Sequence, residues 1–163
     1  MVSYLYMFKI VDYVYICSRE KATDLNELEN EKIKCMLYLN PKTKNKNVLD
    51  DLTEIGIHHY TIKIEDEKDL DFKKYVDRIV KIIHHFVIKK LNVLIYCESG
   101  VRLSPIAVVC YILYKTYIVD KNVPTSFSIV PRLLRKIQKI NKDIDYQNMD
   151  IQQLVTYEIS LKK

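Results

Sequence analysis

Tryptophan is absent from this chain, and glycine occurs only at Gly56 and Gly100. No apolar run reaches the length that spans a bilayer, since Lys115 and Asp120 bracket the longest. Met1 to Ile16 is apolar but has neither a basic leader nor a small-residue cleavage site, so no signal peptide is expected. The cysteines Cys17, Cys35, Cys97 and Cys110 fit no zinc spacing and no compact disulfide framework. Reduced thiols in an intracellular, cytoplasmic setting are therefore expected. No internal repeat and no linker interrupts the chain.

What is there reads as a globular protein. Of 163 residues, 48% are apolar and 29% charged, which excludes a disordered chain and predicts one domain over residues 1–163. The abundance of Lys, Ile, Asn and Tyr suggests an AT-rich coding sequence. The net charge of +5 is modest. Its concentrations are Lys42, Lys44 and Lys46 in a loop, and Arg132, Arg135, Lys136, Lys139 and Lys142 at helical spacing. A solvated helix face is the first reading of that second group, and a docking surface for acidic proteins or nucleic acid the minor one.

Strands and helices alternate. Tyr13–Ile16 reads as a strand sharing parity with Ile10. A short helix follows over Thr23–Leu28 with Thr23 as its cap. Cys35–Leu39 reads as a buried strand, and Tyr60, Ile62 and Ile64 alternate as another. Phe72, Tyr75, Val76, Ile79, Ile82, Ile83, Phe86 and Val87 make one helical stripe, with Asp69 or Asp71 as its start. Val93–Cys97 has the continuous apolar character of a central parallel strand. The helix after it is expected to open at Ser104-Pro105 as cap and first position, and it is apolar nearly all round. Pro124 breaks the chain before basic helical segments complete it. The pattern is that of an α/β domain.

The chemistry concentrates where the apolar strand meets the apolar helix: Tyr96-Cys97-Glu98-Ser99-Gly100-Val101-Arg102-Leu103-Ser104-Pro105. A loop between such elements offers a fan of backbone N–H groups beside a helix N-terminus, which favours an anion. The same field favours a thiolate and makes Cys97 a candidate nucleophile rather than a core thiol. Gly100 supplies the backbone freedom that so tight a loop requires.

This segment resembles the phosphate-binding loop of the cysteine-dependent dual-specificity protein phosphatases, which write His-Cys, five residues, then Arg-Ser. Asp12-Tyr13-Val14-Tyr15-Ile16-Cys17-Ser18 is similar to that family's opening strand, and Ile62-Lys63-Ile64-Glu65-Asp66 to its acid-bearing loop. The resemblance runs from about Val11 to Leu154. It implies a compact α/β fold with a central, mostly parallel sheet flanked by helices. It also implies Cys97 as nucleophile, Asp66 as general acid and Ser104 as the hydroxyl that assists thiolate departure. The phosphate loop would be Cys97, Glu98, Ser99, Gly100, Val101, Arg102 and Leu103.

Two positions depart from the family. Leu103 stands where the loop arginine belongs, with Arg102 one place early, and Tyr96 replaces the preceding histidine. A guanidinium on a phosphoryl transition state is commonly worth about 10³–10⁵ in rate, and leucine supplies none of it. The expectation is therefore a pseudophosphatase that binds a protein partner, either a phosphoprotein or a phosphatase. The alternative is an active Tyr/Ser/Thr phosphatase in which Arg102 substitutes. Tyr96–Arg102 is also similar to the shorter loop of rhodanese-like sulfurtransferases, but the opening strand and the Asp66 segment are unexplained by that likeness. A pure structural adaptor is the fourth reading. No cofactor, metal, membrane or nucleic-acid partner is expected; His58-His59 and His84-His85 do not form a metal site by spacing.

Overall fold

A computed structural model of the chain describes residues 5–42, 52–64, 72–125 and 127–163. Among the described residues, the sheet has five strands in the order β1-β2-β5-β3-β4, formed by β1 (Phe8–Val11), β2 (Val14–Ser18), β3 (Ile33–Leu39), β4 (His58–Ile62) and β5 (Asn92–Cys97). Only the β1–β2 pair is antiparallel; β2–β5, β5–β3 and β3–β4 run parallel. The expected mostly parallel sheet is present, and β5 lies at its centre.

The first strand of the sequence reading is one arm of a hairpin. Val11 pairs with Val14 across Asp12-Tyr13, and Tyr13 takes a φ of 68° to make that turn. The first helix, α1 (Leu25–Asn30), begins one residue later than expected. Asp24, not Thr23, caps it by accepting from the Glu27 N–H at 3.1 Å, while the Thr23 hydroxyl turns back to the Glu20 carbonyl.

Alternation along the strands divides the core into two layers. Val14, Ile16, Cys35, Leu37, Leu39, Val93, Ile95 and Cys97 face the side covered by α2 (Phe72–Val87) and α3 (Leu103–Tyr114). Tyr15, Cys17, Met36, Tyr38, Leu94 and Tyr96 face the other side, where Leu28 of α1, Leu52 and Ile57 close over them. Cys17 and Cys97 thus lie on opposite faces of neighbouring strands. Of the expected α2 stripe, Val76, Ile79, Ile83 and Phe86 are buried and Tyr75, Ile82 and Val87 half-buried, while Val80, outside the expected set, is buried as well.

Helix α3 runs through the centre of the helical layer and is buried at all positions from Leu103 to Tyr111. A short π-helical turn, Lys115–Val119, ends it ahead of Pro124. Helices α4 (Val130–Ile140) and α5 (Asn148–Leu161) complete the layer. Buried Glu158 of α5 accepts from the Tyr117 hydroxyl at 2.6 Å, the Ile129 N–H at 2.9 Å and the Ser128 hydroxyl. That carboxylate ties the π-turn and the start of α4 to α5. Among the described residues, no helix is long and apolar enough to cross a membrane.

Candidate functional site

The carboxyl end of a central parallel strand is where loops can gather donors around a ligand, and β5 ends there in Cys97. Its thiol is 3% exposed and accepts from the Gly100 N–H at 3.2 Å and the Ser104 hydroxyl at 3.1 Å. The Ser-Pro pair predicts Ser104 as the helix cap. Instead, Arg102 is the N-cap residue without a side-chain capping bond, Leu103 and Ser104 are already helical, and the Ser104 hydroxyl serves the sulfur.

The loop is clamped from both sides. Arg19 donates its backbone N–H to the Glu98 carbonyl at 3.4 Å, and Asp145 donates its own to the Val101 carbonyl at 3.0 Å. Gly100 has a φ of +73°, and a Cβ there would sit 2.6 Å from the backbone nitrogen of Ser18. The loop can press this closely onto the end of β2 only because residue 100 has no side chain. Ser99 is exposed, and its hydroxyl accepts from the Val101 N–H at 3.3 Å.

The two cationic and apolar neighbours are placed very differently. Arg102 donates from Nε to Asp150 Oδ2 at 3.1 Å and from Nη2 to Oδ1 at 3.0 Å, a bidentate pair. The Asp150 side chain is fully buried, and the Arg102 side chain is 18% exposed. Asp150 also accepts from the Gln147 N–H at 3.0 Å, so the same carboxylate closes the capping box of α5. Leu103 is 8% exposed. It lines an apolar recess with Leu39, Ile64, Val76, Ile106 and Cys110, beneath the carboxyl ends of β3 and β4.

On the opposite face of the sheet, Tyr96 pairs across the strands with Tyr38, and their rings stack at 4.4 Å and 15°. The Tyr96 hydroxyl shares a 2.6 Å hydrogen bond with His59 Nε2. The Tyr38 hydroxyl donates to Glu98, which also faces Arg19 at 3.7 Å. Burial, reinforced by the neighbouring Glu98 carboxylate, pushes the Tyr38 phenol up to about 12. The negative charge that Glu98 adds beside the loop is thereby drawn toward Arg19 and Tyr38.

Burial also holds the His59 imidazole below its ordinary 6.5. Above that value both folded and unfolded rings are neutral and contribute no pH dependence. As pH falls below it, the unfolded chain takes up the proton first, and stability declines until the folded ring is protonated as well. The melting temperature of the native protein is expected to fall more steeply between about pH 7.5 and 5.5 than that of His59→Gln. Parallel slopes would remove His59 from the account.

The structure therefore brings Cys97, Gly100 and Ser104 together and sets Arg102 against Asp150. Asp66, with Asp69 and Asp71, lies outside the described residues, as do Lys44 and Lys46. Four neighbours of the loop were missed from sequence: Asp150, Arg19, Tyr38 and His59. For Tyr38 the signal was available, since a tyrosine in a strand beside β5 is a natural cross-strand partner for Tyr96. Asp150 carried none. Among the described residues, no three metal-ligating side chains cluster.

Solved structures of similar fold cover nearly the whole chain. The leucine rich repeat and phosphatase domain containing protein of Entamoeba histolytica aligns at 20% identity and a TM-score of 0.73, over 97% of this chain and 94% of its own. The Yvh1 phosphatase domain of Chaetomium thermophilum aligns at 20% identity and 0.78, over 95% and 96%. The human tyrosine phosphatase-like serine/threonine/tyrosine-interacting protein aligns at 13% and 0.71, over 94% and 96%. At these identities the likeness is one of fold. No curated protein matches the sequence significantly. The family model for the dual specificity phosphatase catalytic domain matches residues 14–159, from β2 through the Cys97 loop to the last helix, and the chain belongs to that family.

Proposed function

We propose that this member of the family is a pseudophosphatase: it lacks competent catalysis and works by binding a protein partner, a phosphoprotein or another phosphatase. The observation that carries the reading is the pair of neighbours at the end of the loop. Leu103, at the arginine position, is buried in an apolar recess, and Arg102 is engaged by Asp150. Phosphoryl transfer relies on fixed charge placed on the equatorial oxygens. A hydrocarbon offers none. Turning Arg102 toward a phosphate would leave the buried Asp150 carboxylate without its partner, which is strongly unfavourable.

Ground-state binding asks for less than transition-state stabilisation. Gly100 and Val101 give their amides to Cys97 Sγ and Ser99 Oγ, so the anion donors of this reading are those at the N-terminus of α3. In this reading Cys97 and Ser104 keep vestigial contacts, and Asp66 is assigned to the acid position by resemblance alone. The similarly folded human protein whose name describes it as tyrosine phosphatase-like and interacting supports such a role as one this fold accommodates. The second reading, a slow phosphatase, draws on the Gly100 and Ser104 hydrogen bonds that still converge on the sulfur.

An aryl phosphate assay separates them. Native protein and Cys97→Ser are expected to hydrolyse it at the same background rate, while millimolar inorganic phosphate raises the melting temperature of the native chain. Cysteine-dependent turnover by native protein would establish the enzyme. Lack of any phosphate-induced shift would leave a structural adaptor whose loop holds no anion.

A further inference from the structure

Helix α4 (Val130–Ile140) carries Arg132, Arg135, Lys136 and Lys139 and contains no aspartate or glutamate. Val130, Leu134 and Ile137 are its buried line. At about 100° of rotation per residue, the four cations fall within an arc of roughly 100° centred opposite that line. All four are exposed, and Lys142 follows just beyond the helix end.

This face is arranged against its own helix. Arg132 with Arg135 and Lys136, and Lys139 with Arg135 and Lys136, are like-charge neighbours three or four residues apart, each repulsive. The helix dipole favours Lys136 and Lys139 near the C-terminus but opposes Arg132 in the first turn. Solubility alone would be served better by interspersed acids, which would turn the same spacings into attractive pairs. The nearest acids along the chain, Asp143 and Asp145, lie past the helix end.

We infer that the cationic face of α4 is a docking surface for an acidic segment of a partner protein. The cations run about 10 Å along the axis, the reach of three or four residues of extended chain or two turns of an acidic helix. Ile140, 37% exposed, borders the arc beside Lys136 and offers an apolar ledge that a peptide side chain can cover. A single nucleic-acid strand would call for aromatic stacking platforms on this face, and the helix has no aromatic residue. The surface is distinct from the Cys97 loop and does not depend on how that loop functions.

The test uses the full-length chain and a fluorescein-labelled deca-glutamate peptide, read by anisotropy at low and moderate salt. Changing Arg132, Arg135, Lys136 and Lys139 together to Gln is expected to weaken binding about tenfold or more, with the native affinity falling steeply as salt rises. Removing the same charge elsewhere, by Lys34→Gln, Arg78→Gln, Lys81→Gln and Lys89→Gln combined, is expected to change it less than about twofold. Should the fourfold α4 variant fail to fold, Arg132→Gln with Lys139→Gln gives the intermediate loss to look for. Equal losses in the two sets would reduce the effect to net charge and overturn the proposal. So would tighter binding of decauridylate RNA, or an absence of peptide binding at any attainable concentration. Millimolar inorganic phosphate, against chloride at the same ionic strength, is expected to leave the peptide affinity unchanged; competition by phosphate would move the site to the loop.

Discussion

Leu103→Arg is expected to hydrolyse an aryl phosphate at least about 10³-fold faster than the native protein, through Cys97. The position is one residue ahead of Ser104, whose hydroxyl meets the Cys97 sulfur at 3.1 Å, at the first turn of a helix whose N-terminus already favours an anion. What the native site lacks there is a planar, fixed charge. Arginine's aliphatic stem can cover part of the recess that Leu103 fills, and its head group can reach the loop mouth. Some stability is lost with the burial of the leucine in the recess lined by Leu39, Val76 and Ile106. A lower melting temperature is therefore the expected companion of the gained activity.

Two controls make the result specific. Leu103→Lys supplies charge without the bidentate fork and is expected to recover far less. Adding Cys97→Ser to Leu103→Arg is expected to return hydrolysis to background. A folded Leu103→Arg variant that remains inert would shift the defect to Tyr96, with Tyr96→His as the next change. A native protein as fast as the variant would end the pseudophosphatase reading altogether.

How much of this site could be read from sequence follows the reach of each interaction. Cys97, Gly100 and Ser104 share one short segment between two apolar runs, and their grouping was visible because strand, loop and helix each announce themselves locally. Ser104 carried two expectations, a helix cap from the Ser-Pro pair and a thiolate partner from the family resemblance; the cap fails, and the hydroxyl lies against the sulfur. What the residue types leave open is where the helix begins, and it begins at Leu103, one residue before Ser104. The hairpin at Asp12-Tyr13 was hidden for a related reason: tyrosine at a positive φ is uncommon, so nothing in the residue types signals that turn. The contacts joining Tyr38 to Glu98 and His59 to Tyr96 cross 60 and 37 residues, respectively. They depend on strand order and register, which the pattern of a parallel sheet leaves open.

Asp150→Ala is expected to cost about 3–5 kcal/mol, among the largest losses available to a single substitution outside the apolar core. The carboxylate is fully buried and performs two tasks, receiving both arms of the Arg102 fork and the Gln147 N–H. Its removal strands a largely covered guanidinium and opens the capping box of α5. Asp150→Asn retains the shape and one acceptor oxygen, so a smaller loss is expected. Replacing both partners, Arg102→Met with Asp150→Leu, is expected to be less damaging than Asp150→Ala, because no charge is left unmatched. Urea denaturation of the three variants measures that order. Hydrolysis by the same Asp150→Ala protein carries the functional half of the prediction. If the arginine is merely withheld by its partner, release should let it grip phosphate and Cys97-dependent turnover should appear. If its place in the loop is wrong for the clamp, the variant stays at background, and that is the result expected: residue 102 precedes the position from which the family's arginine acts, and freeing its side chain does not move its backbone.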